Sequence, residues 1–157
     1  MQKHPMTTTG HKALQDELKE MKSVKRPEII QQIEIARAHG DLKENAEYKA
    51  AKEAQSMLEG RIKEVESKLG NAQVVDVSTL SGDRVVFGAT VEVLDCDTDE
   101  KKTLTIVGDD EMNIESGKIS YQSPLARGLI GKCVDDFAEI NLPAGKKEYE
   151  VLSVEFK

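Results

Sequence analysis

The fold of this chain of 157 residues is decided by the stretch Gly40-Asp41-Leu42-Lys43-Glu44-Asn45-Ala46-Glu47-Tyr48. The stretch lies between two long segments in which apolar residues recur every three or four positions, the period of an amphipathic helix. Gly40 suits the left-handed conformation that closes many helices. The sequence therefore predicts a short acidic bend at residues 40–44 between two helices.

The apolar residues on the two sides of the bend pair in a constant register. Their position numbers add to 83 or 84 in every pair, as two antiparallel helices require. Half of that sum falls within Gly40 to Lys43, so the sequence predicts a helical hairpin with Asp41 and Glu44 at its tip. The pairs are Leu14 with Leu69, Leu18 with Val65, Met21 with Ile62, Ile29 with Gln55, Ile33 with Ala51, and Ala36 with Tyr48.

The helix boundaries follow from capping residues and one proline. Thr7-Thr8-Thr9-Gly10 offers hydroxyl caps for the first helix. Pro27 lacks a backbone N–H and disfavours a helical conformation in the residue before it, so we expect a kink or short break at 23–27 and a fresh segment over Glu28–His39. The second arm, of about 27 residues from Glu44 to Gly70, is then about 40 Å long at a rise of about 1.5 Å per residue.

From Ala72 onward the apolar period changes from about 3.6 to about 2, the period of a strand. Ser123 and Pro124 suit the cap and first turn of one short helix that ends at Gly131. The predicted fold class is therefore α+β with two domains, a coiled-coil hairpin at 1–76 followed by an antiparallel sheet domain with one short helix at 77–157. The predicted strands are Gln73–Val77, Arg84–Phe87, Thr90–Leu94, Lys102–Val107, Phe137–Leu142 and Tyr149–Phe156.

The charge distribution narrows the possible partners. The net charge is -7, and the whole acidic excess falls in residues 78–157, where 16 Asp or Glu stand against 9 Lys or Arg. This balance argues against direct binding to duplex DNA, because phosphate contacts come from clustered Lys and Arg. The chain has no Trp, so a base-stacking platform is not expected either.

Apolar runs and cysteines predict a cytoplasmic protein without a membrane partner. No apolar run is long enough to cross a bilayer, and Met1 to Gly10 carries no secretory signal. Cys96 and Cys133 stand alone, without a second cysteine or a histidine at ligand spacing. We therefore expect two reduced thiols and no zinc site.

Asp41 and Glu44 have two compatible interpretations. Asp-x-x-Glu at the start of a helix is a capping box, in which each side chain accepts a hydrogen bond from the backbone N–H of the other residue. Two carboxylates at an exposed tip can also complete a partner's Mg²⁺ site, because Mg²⁺ commonly binds one or two protein carboxylates together with water and phosphate oxygens. No hydrolase or phosphate-binding motif is found, so we expect a factor that inserts into a partner and is not itself an enzyme.

Six longer motifs extend across nearly the whole chain. They are Arg26-Pro27-Glu28-Ile29-Ile30, Ala36 to Tyr48, Glu59-Gly60-Arg61-Ile62, Val86 to Val91, Ile106 to Glu111 and Ser123 to Lys132. Together they resemble the Gre family of bacterial transcript cleavage and transcription elongation factors. The resemblance implies that the second domain is FKBP-like and binds bacterial RNA polymerase, while the coiled coil passes down the secondary channel of the polymerase.

The same resemblance implies a catalytic role for the tip. Asp41 and Glu44 would help to hold the second Mg²⁺ of the polymerase, so that the polymerase cleaves its own backtracked transcript. The chain would then need no cofactor of its own. DNA would be met only within the polymerase complex.

Further residue roles are implied by the resemblance alone. Arg37 and Lys52 would face the 3′ end of the nascent RNA, with Lys43 and Lys49 as weaker candidates, although charged residues on a helix are ordinarily just solvated. The polymerase-docking residues would be Ser123-Pro124-Leu125. The apolar residues Leu125, Leu129 and Ile130 also suit the core.

Two alternatives remain open at this point. A Gre-like protein could bind the channel of RNA polymerase and inhibit it without cleavage, although the intact Asp41 and Glu44 favour a cleavage factor. An FKBP-like fold also raises a prolyl isomerase or chaperone. The sheet domain has few aromatic residues to line a proline pocket, namely Phe87, Tyr121, Phe137, Tyr149 and Phe156.

Overall fold

A computed structural model describes residues 3–40 and 45–157, which form two compact units. One unit comprises residues 11–72, and the other comprises residues 3–10 and 73–157. The predicted class, a helical hairpin followed by a mostly antiparallel sheet with one short helix, is confirmed. The elements are β1 His4–Thr7, α1 Thr8–Glu20, α2 Arg26–Arg37, α3 Ala46–Gly70, β2 Ala72–Val75, β3 Thr90–Asp95, β4 Lys101–Val107, β5 Lys118–Ser120, α4 Pro124–Leu129, β6 Phe137–Leu142 and β7 Gly145–Glu155.

The hairpin unit buries the apolar seam that the sequence predicts. Every residue of the predicted pairs is buried or half-buried. Ile62 and Val65 are the most enclosed, with 1% and 0% of their surface exposed. The other buried seam residues are Leu14, Met21, Ala36 and Ala51.

Ion pairs join the two sides of the hairpin outside the seam. Arg26 binds Glu59 through two hydrogen bonds of 2.7 and 2.8 Å, and Arg61 binds Glu17 in the same way at 2.8 and 3.0 Å. The hydrogen bond from Arg26 lowers the pKa of Glu59 and raises that of Arg26, although desolvation opposes both shifts. Such two-point Arg–carboxylate contacts fix direction as well as distance.

The regular α-helix is interrupted just before the proline, and Pro27 opens a new helix as predicted, but the interruption is a π-helical turn and not a break in the helical chain. A π-helical turn, Met21–Lys25, connects α1 directly to α2. The Arg26 N–H donates to the carbonyl of Met21, five residues back. Pro27 lies in the first turn of α2, where its missing N–H costs little. The wider π turn thus lets the chain stay helical up to the proline.

The second unit contains a five-stranded sheet in the order β5-β4-β3-β7-β6. All neighbours are antiparallel except β4 and β5, which are parallel. The core lies on one face of this sheet, against which α4 packs; Val91 and Val93 of β3, Ile106 of β4 and Val151 of β7 are fully enclosed. At Gly128 of α4 an added Cβ would lie 2.6 Å from Cγ1 of Ile140, so the close approach of helix to strand requires glycine.

The strand predictions need four corrections. Strand β2 ends at Val75 and not at Val77, because Val77 begins a short 3₁₀-helix. Arg84–Phe87 is not a strand, because only Arg84 forms an isolated bridge, with Cys133, while Val85 enters the core. Two strands were missed: β1, which pairs with β2, and β5, whose three residues are too few to show alternation. Strand β7 begins at Gly145 and not at Tyr149, because Gly145 pairs with Leu142 in a tight hairpin.

The start of α1 is capped as the sequence predicts. The Thr7 hydroxyl accepts a hydrogen bond from the Gly10 N–H at 3.1 Å. The Glu111 carboxylate accepts from the Thr7 N–H at 3.1 Å and from the Thr7 hydroxyl, which fastens the first strand to the sheet unit. Within residues 3–40 and 45–157, no helix combines the length and apolar character needed to span a bilayer.

Candidate functional site

The bend of the hairpin is bounded by the ends of two helices. Helix α2 ends at Arg37 and α3 begins at Ala46. Gly40 has a φ of +126°, a backbone conformation that glycine adopts without strain. The predicted pair Asp41 and Glu44 falls in residues 41–44, outside the described residues, so its role as catalytic and metal-binding pair stays a prediction.

The helix that follows the bend is capped by Asn45. This residue has an extended backbone, with φ of -82° and ψ of 101°, and its Oδ1 accepts a hydrogen bond from the Tyr48 N–H at 3.1 Å. The predicted capping box at Asp41 therefore does not start α3, which begins five residues later. Sequence reasoning missed Asn45, although Asn is among the best N-cap residues and Glu47 follows in the first turn.

The Asn45 side chain also reaches the other helix. Its Nδ2 donates a hydrogen bond to the Ala36 carbonyl at 2.6 Å. Ala36 lies in the last turn of α2 and is buried. One amide thus contacts both helix ends at the bend, a pairing that periodicity alone could not reveal.

The predicted basic residues lie on the exposed surface of the hairpin. Arg37 is the last residue of α2, and Lys49 and Lys52 are in the first two turns of α3. All three are exposed, and Lys52 Nζ lies 3.1 Å from Oε1 of Gln55. Lys43 is outside the described residues. This position leaves Arg37 and Lys52 accessible to a ligand, and their contact with RNA stays a prediction.

An apolar groove runs between α2 and α3 close to the bend. Its volume is about 370 Å³. Ile35 is on its edge, with 52% of its surface exposed. The groove is lined by Gln32, Ile35, Ala36, Glu47, Ala50, Ala51 and Ala54.

The predicted docking helix is α4 in the sheet unit. Ser123 caps it as predicted, since its Oγ accepts from the Ala126 N–H at 3.2 Å and donates to the Ser120 carbonyl at 2.8 Å. Pro124 is exposed, whereas Leu125 is half-buried against the core. Leu129 is completely buried, so its role is in the core. The binding of polymerase by Ser123, Pro124 and Leu125 remains a prediction.

A hydrogen-bond network holds the chain just before this helix. The Ser120 hydroxyl, which is buried, donates to the Asp109 carboxylate and accepts from the Gln122 N–H at 3.1 Å. The network fixes the turn that leads into Ser123. These hydrogen bonds therefore hold the start of α4, with its exposed Pro124, in place.

No group of three or more His, Cys, Asp or Glu in the described part of the chain is placed to hold a metal ion. Both cysteines are free thiols, in line with the prediction from their spacing. Desolvation and the nearby Glu148 and Glu150 raise the pKa of Cys96, so this thiol stays protonated at neutral pH.

The aromatic residues of the sheet unit are largely engaged in packing. Tyr149 is buried, with 2% of its surface exposed. Phe87 and Tyr121 pack edge to face with ring centroids 5.7 Å apart. These positions give the prolyl isomerase alternative no support.

Comparison with known proteins covers both units. Residues 4–74 match the family model "Transcription elongation factor, N-terminal", and residues 80–156 match "Transcription elongation factor, GreA/GreB, C-term". The chain is similar to transcription elongation factor GreA of Hyphomonas neptunium, with 57% identity over 157 residues and 100% of both chains covered. It is also similar to GreA of Maricaulis maris, with 56% identity over 154 residues and 98% of both chains covered.

The chain is also similar to solved structures. Among them is GreA factor homolog 1 of Thermus thermophilus, which is 25% identical, with 98% of this chain and 99% of that chain covered, at a TM-score of 0.45. At that TM-score the structural likeness adds no weight to the sequence matches.

Proposed function

Because the chain belongs to the GreA/GreB family of transcription elongation factors, we propose that it binds bacterial RNA polymerase and stimulates the polymerase to cleave backtracked transcripts. The resemblance to the Gre family predicted from the motifs is confirmed by these matches. In the proposal, cleavage shortens a misplaced RNA 3′ end and lets elongation resume. The protein acts in the cytoplasm, where it meets the polymerase.

The hairpin supplies the reach that this activity needs. Helix α3 has 25 residues and is about 38 Å long at a rise of about 1.5 Å per residue. On the other side, the chain is helical from Thr8 to Arg37 without interruption. In the proposal, this slender arm enters the secondary channel while the sheet domain stays at its rim.

The chemistry belongs to the polymerase, and the tip assists it. Two-metal hydrolysis of a phosphodiester places one metal on the attacking oxygen and one on the leaving oxygen. Asp41 and Glu44 offer carboxylate oxygens, the ligands that Mg²⁺ prefers. The chain is accordingly a factor and not an enzyme in this proposal.

The observation that carries the tip assignment is the Asn45 cap. A capping box was the strongest structural explanation for an acidic pair at this position. Because Asn45 caps α3, the start of that helix does not need Asp41. The cap of α3 therefore does not compete with the proposed metal-binding role of Asp41.

Two further surfaces complete the proposal. Arg37 and Lys52 are exposed near the bend and would contact the phosphates of the RNA 3′ segment. Exposed Pro124, supported by the Ser123 cap, would contact the rim of the polymerase with Leu125 behind it. DNA lies near the protein only through the polymerase complex.

The test is transcript cleavage by a backtracked bacterial RNA polymerase in the presence of Mg²⁺. Wild type is compared with Asp41→Asn and Glu44→Gln, which remove the charge and nearly preserve side-chain size. We expect wild type to release the 3′ fragment and both variants to lose most of this stimulation while they still bind polymerase. Circular dichroism at 222 nm checks that each variant keeps its helices.

The alternative function gives the opposite result. A channel-binding inhibitor would bind polymerase and slow elongation, yet leave the backtracked transcript uncut. That outcome with wild-type protein would replace the cleavage proposal. The similarity to GreA proteins across the full chain favours the cleavage factor.

A further inference from the structure

The side chain of Asn45 connects the two helices of the hairpin next to the bend. Its Oδ1 accepts from the Tyr48 N–H at 3.1 Å in the first turn of α3, and its Nδ2 donates to the Ala36 carbonyl at 2.6 Å in the last turn of α2. The first N–H groups and the last carbonyl groups of a helix have no partner within that helix. One amide therefore satisfies an unpaired donor of one helix and an acceptor of the other.

Few side chains can make both contacts. The side chain at this position must accept a hydrogen bond from the Tyr48 N–H and donate one to the Ala36 carbonyl. Asp has only acceptors when ionised. A Ser hydroxyl can both accept and donate, but its oxygen lies one bond closer to the backbone than the two polar atoms of Asn, so it does not reach both helices, whereas the longer Asn amide carries an acceptor and donors on separate atoms. Asn is therefore required by the contact between helices, while Asp or Ser would satisfy the cap alone.

The contact is anchored on fixed groups. Ala36 is buried, with 3% of its surface exposed, and its carbonyl also accepts from the His39 N–H at 3.1 Å. On the other side, the backbone carbonyl of Asn45 accepts from the Lys49 N–H at 3.1 Å, so Asn45 is tied into α3. Both ends of the connection that carries Asp41 and Glu44 are therefore held by one residue.

We infer that Asn45 is a positioning residue for transcript cleavage, which sets the points from which the segment with Asp41 and Glu44 leaves the two helices. This inference rests on the proposed function. Small displacements of a group that acts on a reacting centre can lower its effect by about a hundredfold. Loss of the Asn45 contact to Ala36 should thus reduce cleavage more than it reduces binding to polymerase.

The experiment uses the full chain with Asn45→Ser, which keeps a good N-cap and adds no charge. The matched control is Asn71→Ser, because Asn71 Nδ2 also donates to a helix carbonyl, that of Ser67 at 2.9 Å, but at the far end of α3. Three quantities are measured: cleavage rate at saturating protein, affinity for the backtracked polymerase, and amide hydrogen exchange of the free protein.

We expect Asn45→Ser to lower the saturated cleavage rate about tenfold or more and to change the affinity for polymerase less than about twofold. In the free variant, exchange of the His39 amide should accelerate, while the Tyr48 amide stays protected by the serine cap. Asn71→Ser should match wild type in cleavage and affinity. Asn45→Asp, which keeps the cap but faces Ala36 with an acceptor, should lose at least as much cleavage as Asn45→Ser.

Two results would overturn the inference alone. One is an active wild type together with an Asn45→Ser variant that cleaves at the wild-type rate. The other is a loss of cleavage that matches the loss of affinity or of helix content, which would assign Asn45 a structural role only. A wild type that binds polymerase and leaves the transcript uncut would instead overturn the proposed function, and the inference with it.

Discussion

The hairpin unit and the sheet unit are stabilised in different ways. The hairpin has a narrow seam, in which Ile62 and Val65 are the most enclosed residues, and partly exposed Arg–Glu pairs on its outside. The sheet unit encloses a contiguous cluster that includes Val91, Ile106 and Val151, each without exposed surface. A long arm of two helices has little interior, so its side chains must contribute through ion pairs and caps as well as through burial.

The largest difference between the two units is expected in the free energy of unfolding when one buried isoleucine in each is replaced by alanine. Removing the buried atoms of Ile106 by Ile106→Ala should lower the free energy of unfolding by about 4 kcal/mol, because its closely packed surroundings cannot collapse onto the cavity. Ile62→Ala should lower it by about 2 kcal/mol, because the narrow seam also contains half-buried residues, such as Leu18, that can move inward. Urea denaturation followed by circular dichroism measures both.

The proposed difference between the units would be contradicted if Ile62→Ala lowered the free energy of unfolding as much as Ile106→Ala. That result would show that the seam is packed as rigidly as the sheet core. Met57→Ala is a suitable control in the hairpin, since 77% of the Met57 surface is exposed and its loss should have little effect.

A smaller effect is expected from salt, and it should act mainly on the hairpin. The Arg26 and Glu59 side chains are 36% and 38% exposed, and the range of charge interactions falls from about 10 Å at 0.1 M salt to about 3 Å at 1 M. In a double-mutant cycle with Arg26→Gln and Glu59→Gln, the coupling should therefore shrink at about 1 M salt. Thermal unfolding monitored at 222 nm provides the free energies.

The matched pair in the sheet unit sharpens this prediction. Asp95 is 1% exposed and its carboxylate binds Lys147 Nζ at 3.0 Å. A less exposed pair is screened less by salt, so the cycle with Asp95→Asn and Lys147→Gln should change less between the two salt concentrations. Equal salt dependence of the two cycles would contradict the proposed difference between the units.

The smallest expected effect is on the stability of the protein at acid pH. The hydrogen bond from Lys147, followed by that from the Asp97 N–H, lowers the pKa of Asp95, although desolvation opposes the shift. A carboxyl whose pKa is lower in the folded state stabilises the fold above its ordinary value of about 3.9, and this contribution is lost as pH falls through the folded pKa. Asp95→Asn should therefore flatten the decline in stability below about pH 4.

Thermal unfolding between about pH 2 and pH 6 measures this dependence, across the range where carboxyl groups titrate. The prediction would be contradicted if the stability of the wild type and that of the Asp95→Asn variant declined equally steeply as the pH is lowered. Glu59 offers the equivalent test in the hairpin, because the hydrogen bond from Arg26 lowers its pKa in the same direction. Its greater exposure predicts a smaller change on substitution to Gln.

Several features of the fold were predictable because they are encoded locally. The apolar period of the hairpin predicted its register, and the residues of that seam are buried or half-buried as expected. Alternation predicted β3, β4 and β6 to within a residue at either end. Ser123 and Pro124 predicted the start of α4, since capping depends only on neighbouring residues.

Other features depend on partners that are distant in sequence. Strand β1 forms because it pairs with β2, and β5 because it pairs in parallel with β4, although neither has a strong pattern of its own. The segment Arg84–Phe87 was predicted as a strand, yet Val85 packs in the core and its backbone bonds to Gly131 and Lys132. The apolar period of a segment predicts which of its side chains are buried. It does not predict which distant strand will pair with the segment through backbone hydrogen bonds.

The sequence by itself determined that this chain forms an antiparallel hairpin with an acidic bend followed by an α+β sheet domain, and its motifs determined the family. Only the tertiary structure decided that Asn45 and not Asp41 caps α3, and that the same amide binds Ala36 across the bend. The reason is physical. Burial follows from a repeating apolar pattern along one segment, whereas a hydrogen bond between helices depends on the distance between two atoms that the folded chain brings together.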